Sequence, residues 1–137
     1  MTCFWKGIIK ELGSKRIKNF LESESKVAIH KNKIIRFIEL LKQKNIETVD
    51  VRWQNKEISD LELKQNIIHI ENIDVKKIND GYDCSTCDPV LLLICQLFQV
   101  NIFHDYDGIK IEYINKKLKD NTNKLNFISD INHFEKL

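Results

Sequence analysis

Two sets of residues in this chain have the types and spacing that chemistry needs. The first joins the ends of the sequence. Cys3 opens the segment CFWKGIIKEL, and His133 and Glu135 stand in the closing NHFEKL. A cysteine nucleophile requires an imidazole to take its proton, and the imidazole requires a third group to hold it. A thiol at the head of a helix also lies where the helix dipole favours the thiolate. Positions i and i+2 of a strand face the same way, so Glu135 is suited to orient the His133 ring, with Asp130 and Asn132 as alternatives. The plainer reading of the same residues is a buried packing cysteine and a surface histidine. The second set is Cys84-Ser85-Thr86-Cys87. A CxxC supplies half a zinc site or a redox pair. Zinc normally takes four ligands, and the sequence has no second CxxC and no HxxxH; Cys95 and His104 are the nearest supplements. A redox pair wants a strand–CxxC–helix unit of the thioredoxin kind, which the flanking residues do not supply. The simplest expectation is a thiol-containing loop that caps the helix after it.

The elements that must position these groups are legible in the apolar spacing. Phe4, Ile8, Ile9 and Leu12 share one face of a helix over Cys3 to Leu12, which Gly13 ends. Ser14 caps a second short helix to Glu22, with Ile17, Phe20 and Leu21 inward. A longer helix follows the polar ESES break, its stripe made by Ile34, Ile35, Ile38 and Leu41, with Val27 as a further candidate. Val49, Val51 and Trp53 alternate with polar residues, which predicts a half-buried strand over Glu47 to Trp53. A turn at Gln54-Asn55-Lys56 lets Glu57-Ile58 pair back. Ser59-Asp60-Leu61-Glu62 matches a capping box and predicts a helix start. Asn66 to Asn79 reads as irregular helix.

Gly81 to Asp88 reads as a loop, and Asp88-Pro89 opens a helix to Phe98 that is apolar on most sides and therefore central. Val100, Ile102 and His104 predict a strand, Asp107-Gly108 a hairpin turn, and Ile109, Ile111 and Tyr113 the returning strand. After a Lys/Asn-rich loop, one last strand is expected from Leu125 to Phe134. Helices come first and strands dominate the end, so residues 1–137 are expected to form a single α+β domain. His30 and His69 fall in apolar runs and read as packing residues, and Trp5 and Trp53 as core or site walls.

Composition narrows the function classes. The 22 basic and 20 acidic residues nearly balance at +2, and the basic set is 19 Lys to 3 Arg. That gives no basic surface for nucleic acid and few forks for bidentate phosphate contacts. No apolar run approaches the roughly 20 residues of a membrane span. No basic head leads into a long apolar stretch, so no secretory signal is expected. Four cysteines in such a chain argue for reduced thiols in an intracellular, cytoplasmic setting. The excess of Ile, Lys and Asn over Gly and Pro fits an AT-rich coding genome, as in many large DNA viruses, parasites and some bacteria.

Taken in order, these segments resemble the ovarian tumour (OTU) family of cysteine proteases. Cys3-Phe4-Trp5-Lys6-Gly7-Ile8 is similar to the family's nucleophile segment, a Cys followed by two large apolar residues, a basic, a small and an aliphatic one. Lys33 to Asn45 resembles the helix ahead of the family's variable middle region. DPVLLLICQLFQVNIFHDYDGIKIEY, Asp88 to Tyr113, resembles its late helix, strand and hairpin. Asn132-His133-Phe134-Glu135 resembles its closing motif, a catalytic His followed by an aromatic and then an acid or amide. The resemblance implies a papain-like fold of OTU type, with helices packed on a small, mostly antiparallel sheet. It implies Cys3 as nucleophile, His133 as general base and Glu135 as the orienting residue. It also implies cleavage of isopeptide or peptide bonds at the C-terminus of ubiquitin or a ubiquitin-like modifier, with no metal or cofactor and no nucleic-acid or membrane partner. Where the family has an Asp-Gly-type loop before the nucleophile, Met1-Thr2 stands here, and Cys87-Asp88-Pro89 replaces a Trp-Gly-Gly lead. Oxyanion donors are then expected from Thr2 and the Cys3 amide and from the Gly81 to Asp88 loop. The alternative is an OTU-like interaction or structural module, a viral one included, that uses the same surface without turnover.

Overall fold

The computed structural model describes residues 3–22, 33–75, 88–120, 122–129 and 134–136. Helices α1 (Cys3–Leu12) and α2 (Ser14–Glu22) meet at Gly13, whose φ of +86° is open to glycine without a Cβ clash. The Gly13 amide donates to the Ile9 carbonyl and its own carbonyl accepts from the Ile17 amide, both at 3.1 Å, so one residue closes one helix and opens the next. Helix α3 (Lys33–Gln43) buries Ile38 and Leu41 of the expected stripe together with Phe37 and Leu40, while Ile34 and Ile35 are partly buried against the core. The candidate Val27 lies outside the described residues.

Strands β1 (Val51–Trp53) and β2 (Lys56–Glu57) form a hairpin across Gln54 and Asn55, both at positive φ, as a two-residue turn of this kind requires. The strand expected from Glu47 starts only at Val51. The Val51 amide is turned back to the Thr48 carbonyl at 3.3 Å, and Val49 is left exposed. Asp50 accepts from the Lys116 amide at 2.8 Å through its carbonyl and is held on its other side by a side chain. Its amide donates to Gln96 Oε1 at 2.9 Å, and Gln96 Nε2 donates to its carboxylate at 2.8 Å. Helix α4 (Asp60–Glu71) starts at the expected box, with the Glu62 amide donating to Ser59 Oγ at 3.2 Å and the Ser59 hydroxyl donating to Glu62 Oε1 at 3.0 Å. It is regular to Glu71, where an irregular helix was expected to run on.

Helix α5 (Asp88–Phe98) leads into β3 (Asn101–Tyr106), β4 (Ile109–Asn115), β5 (Lys124–Ser129) and β6 (Phe134–Lys136). The β3–β4 hairpin turns at Asp107-Gly108, and the Asp105 carboxylate accepts from the Gly108 amide at 2.9 Å and from Lys110 Nζ. The expected single strand from Leu125 to Phe134 is two strands. β5 and β6 pair antiparallel, with Ser129 opposite Phe134. The apolar alternation that carries Leu125 and Phe127 gives way to Asp130 and Asn132, residue types that favour turns.

Among the described residues, five helices and a six-stranded sheet of order β2-β1-β4-β3-β5-β6 make an α+β architecture. Only β3 and β5 pair in parallel; the other pairings are antiparallel. Register assigns Ile102, Tyr113, Leu125 and Phe127 to one side of the sheet, and all are buried. The helices cover that side, α1 over β5 and β6, α5 over β4, β1 and β3. The opposite side carries Arg52, Lys110, Glu112 and Lys124, which are exposed or half-buried. Residues Val90 to Cys95 of α5 are all buried, so this helix is central, as its composition demands. No helix among the described residues is long and apolar enough to cross a membrane.

Two stability predictions follow from this packing. Phe127 is 1 % exposed, so Phe127→Ala should cost about 3–5 kcal/mol in urea unfolding. Leu61, 66 % exposed on α4, should tolerate Ala within about 0.5 kcal/mol. The Gln96 amide, with Lys117 beside it, holds the Asp50 carboxyl below its ordinary 3.8. A carboxyl lowered on folding stabilises the fold above its unfolded pKa and ceases to do so as pH falls through the folded value. Asp50→Asn should therefore be less stable than the parent at neutral pH, and the gap should close as pH drops below 3.8. A gap that widens in acid would refute this role.

Candidate functional site

Cys3 is the first residue of α1, so its backbone stands at the helix end where amide hydrogens are unsatisfied. Phe4 and Trp5 follow it into the core, each 1 % exposed, with their rings edge to face at 5.0 Å and 83°. Ile8 and Leu12 continue the buried stripe, which fixes how the helix start is presented. α1 packs on β6 and, to a lesser extent, on β5. Its last turn is tied to the sheet by Glu11, whose Oε1 accepts from the Asn126 amide at 3.3 Å.

On β6, Glu135 pairs with Ile128 and Phe134 with Ser129. The side chains of Cys3 and Glu135, and the whole of Asp130, Asn132 and His133, lie outside the described residues. So do Cys84, Cys87 and the Gly81 to Cys87 stretch expected to supply oxyanion donors; Asp88 begins α5. What the described backbone brings together is therefore the helix that starts at Cys3 and the strand that contains Glu135, from opposite ends of the chain.

The described residues add a polar pair that the sequence reading passed over. His104 on β3 and Ser129 on β5 are 2 % and 6 % exposed, with Nε2 and Oγ 2.5 Å apart. They lie at register-adjacent positions near the C-terminal ends of the two parallel strands, on the side the helices cover. A hydroxyl on an imidazole has the form of a nucleophile–base dyad, and here both groups are buried. The pair ties the strand ends together beside the start of β6. A signal for it was present: His104 falls in the buried phase of Val100 and Ile102, and Ser129 in that of Leu125 and Phe127. The partner could not be read, because the parallel register between β3 and β5 is set by the hairpin and crossover between them.

Cys95 and His104, the supplements considered for a metal site, have other roles. Cys95 is buried in α5 with Sγ 3.9 Å from the Tyr113 carbonyl. No group of three or more His, Cys, Asp or Glu stands together to hold a metal among the described residues. Burial pushes the Cys95 thiol well above its ordinary pKa. Cys95 should accordingly resist iodoacetamide in the native protein and react once the chain is unfolded in urea, as read by peptide mass mapping. Native labelling at the unfolded rate would show the thiol to be accessible. No family model matches this chain, and no curated protein or solved structure matches it.

Proposed function

We propose that this chain is an OTU-type thiol hydrolase of papain-like fold that cleaves bonds at the C-terminus of ubiquitin or a ubiquitin-like modifier. Cys3 is the nucleophile, His133 the general base and Glu135 the residue that orients it, with Asp130 and Asn132 as alternatives. The observation that carries the reading is the packing of α1 on β6, which brings the helix headed by Cys3 against the strand that follows His133. Glu11 anchors the far end of that helix at the first residues of β5. This favours a helix start near the opposite end of the strand pair, where Ser129 meets Phe134. In the mechanism, the His133 imidazole takes the Cys3 proton, and the thiolate attacks the scissile carbonyl. The resulting oxyanion is held by backbone amides, the leaving amine receives the proton from His133, and water then releases the acyl group.

An electrophilic ubiquitin probe tests the assignment on the intact chain. It should label Cys3 ahead of Cys84 and Cys87 and leave Cys95 untouched. His133→Ala should lower labelling and turnover of a fluorogenic ubiquitin substrate by about 10²–10⁴-fold with the circular dichroism unchanged. Labelling confined to Cys84 or Cys87 would overturn the nucleophile. Turnover equal to that of Cys3→Ala with ubiquitin binding retained would establish an interaction module in place of the enzyme.

A further inference from the structure

Helices α2 and α3 line an open groove of about 360 Å³ that the proposed hydrolase chemistry does not use. Ile17 and Leu21 give it an apolar floor. Lys18, Lys33 and Arg36 line its walls, against one carboxylate, Glu22. The Arg36 Nε is buried and meets no acceptor among the described residues. A guanidinium does not shed its proton at any ordinary pH, so this donor cannot be relieved by neutralisation. A buried donor left unmet is unfavourable, and only an acceptor from outside the described structure satisfies it. None of the ion pairs among the described residues engages Lys18 or Lys33. Ser14, the first residue of α2, also lines the groove and brings the positive end of that helix to its wall.

The geometry points to a binding site for a small organic anion. Its oxyanion head, a carboxylate or a phosphate monoester, accepts from the Arg36 guanidinium and sits between the two lysines. Its compact apolar body covers Ile17 and Leu21. The volume lies at the small end of ligand pockets, which suits a compact ligand. Among the described lining residues, three cations stand against one carboxylate over an apolar floor, which selects an amphiphilic anion over both a neutral amphiphile and a bare ion. This site stands independently of the thiol chemistry, because α2 and α3 carry none of the residues assigned to it.

Calorimetry and thermal melting of the full chain with octanoate, octyl phosphate, octanol and inorganic phosphate test the proposal. At least one of the two amphiphilic anions should bind at one per chain and raise the melting temperature, and their ranking identifies the head group. Octanol and inorganic phosphate should each bind at least about tenfold more weakly. Arg36→Met removes the unmet donor, so the ligand-free variant should melt no lower than the parent while its anion affinity falls by about tenfold or more. Arg36→Lys should retain part of the affinity. If Arg36→Met does not fold, Lys33→Ala, at the exposed start of α3, should weaken binding by itself. Failure of both anions to bind, binding equal to that of octanol, or affinity unchanged in the folded variants would overturn the site.

Discussion

Helix α5 is apolar on every side, and the rest of the structure is arranged to bury it. From Val90 to Cys95 no side chain reaches water, so the helix cannot lie on a surface with one face solvated. β1, β3 and β4 take one side of it and α4 packs against another. A helix buried in this way leaves its last carbonyls without water, and polar side chains meet them instead. Asn115, itself 1 % exposed, donates from Nδ2 to the Cys95 carbonyl at 2.9 Å, and its amide donates to Asn101 Oδ1 at 2.8 Å. Gln96 clamps Asp50 at the entry to β1. Two asparagines and a glutamine thus join the end of the central helix to three strands, where an unpaired polar group would be costly.

The same burial makes the sheet one-sided. Among the described residues the helices cover the side carrying Ile102, Tyr113, Leu125 and Phe127, and the opposite side carries Arg52, Lys110, Glu112 and Lys124. β4 leaves the centre of the sheet and the chain returns as β5 on the far side of β3. The return is stitched by the Asn101 amide donating to the Asn123 carbonyl at 2.9 Å. That crossover produces the parallel β3–β5 pair. It also sets β5 beside β6, so the last strand reaches the first helix. The proposed catalytic arrangement rests on this: α1 meets β6 because the β4–β5 connection carries β5 past β3.

Local chemistry was legible wherever a few neighbouring residues decide the conformation. The Gly13 break between two helices, the Ser59 box and the Asp107-Gly108 turn were readable because each is set within four residues. Two expectations failed where distant residues win. Val49 has the residue type and spacing of a strand, but the neighbouring Asp50 is captured by Gln96 from α5, and the ladder starts later. Leu125 to Phe134 was expected as one strand from the alternation that Leu125 and Phe127 begin, whereas antiparallel pairing of Ser129 with Phe134 makes it two. Of the candidate site, the helix headed by Cys3 was readable from its periodicity. The contact of that helix with β6 was not, since nothing local in either segment encodes the other.

The cysteines show how one side-chain type takes different roles from its position in a fold. Cys95 lies in the middle of a buried helix, where desolvation disfavours the thiolate and the sulfur serves as a small packing group. Cys3 begins a helix, where unsatisfied amides and the helix dipole favour an anion. The burial of Phe4 and Trp5 directly after Cys3 adds a second constraint, because it keeps the first turn from fraying and so preserves the amide array on which that stabilisation depends.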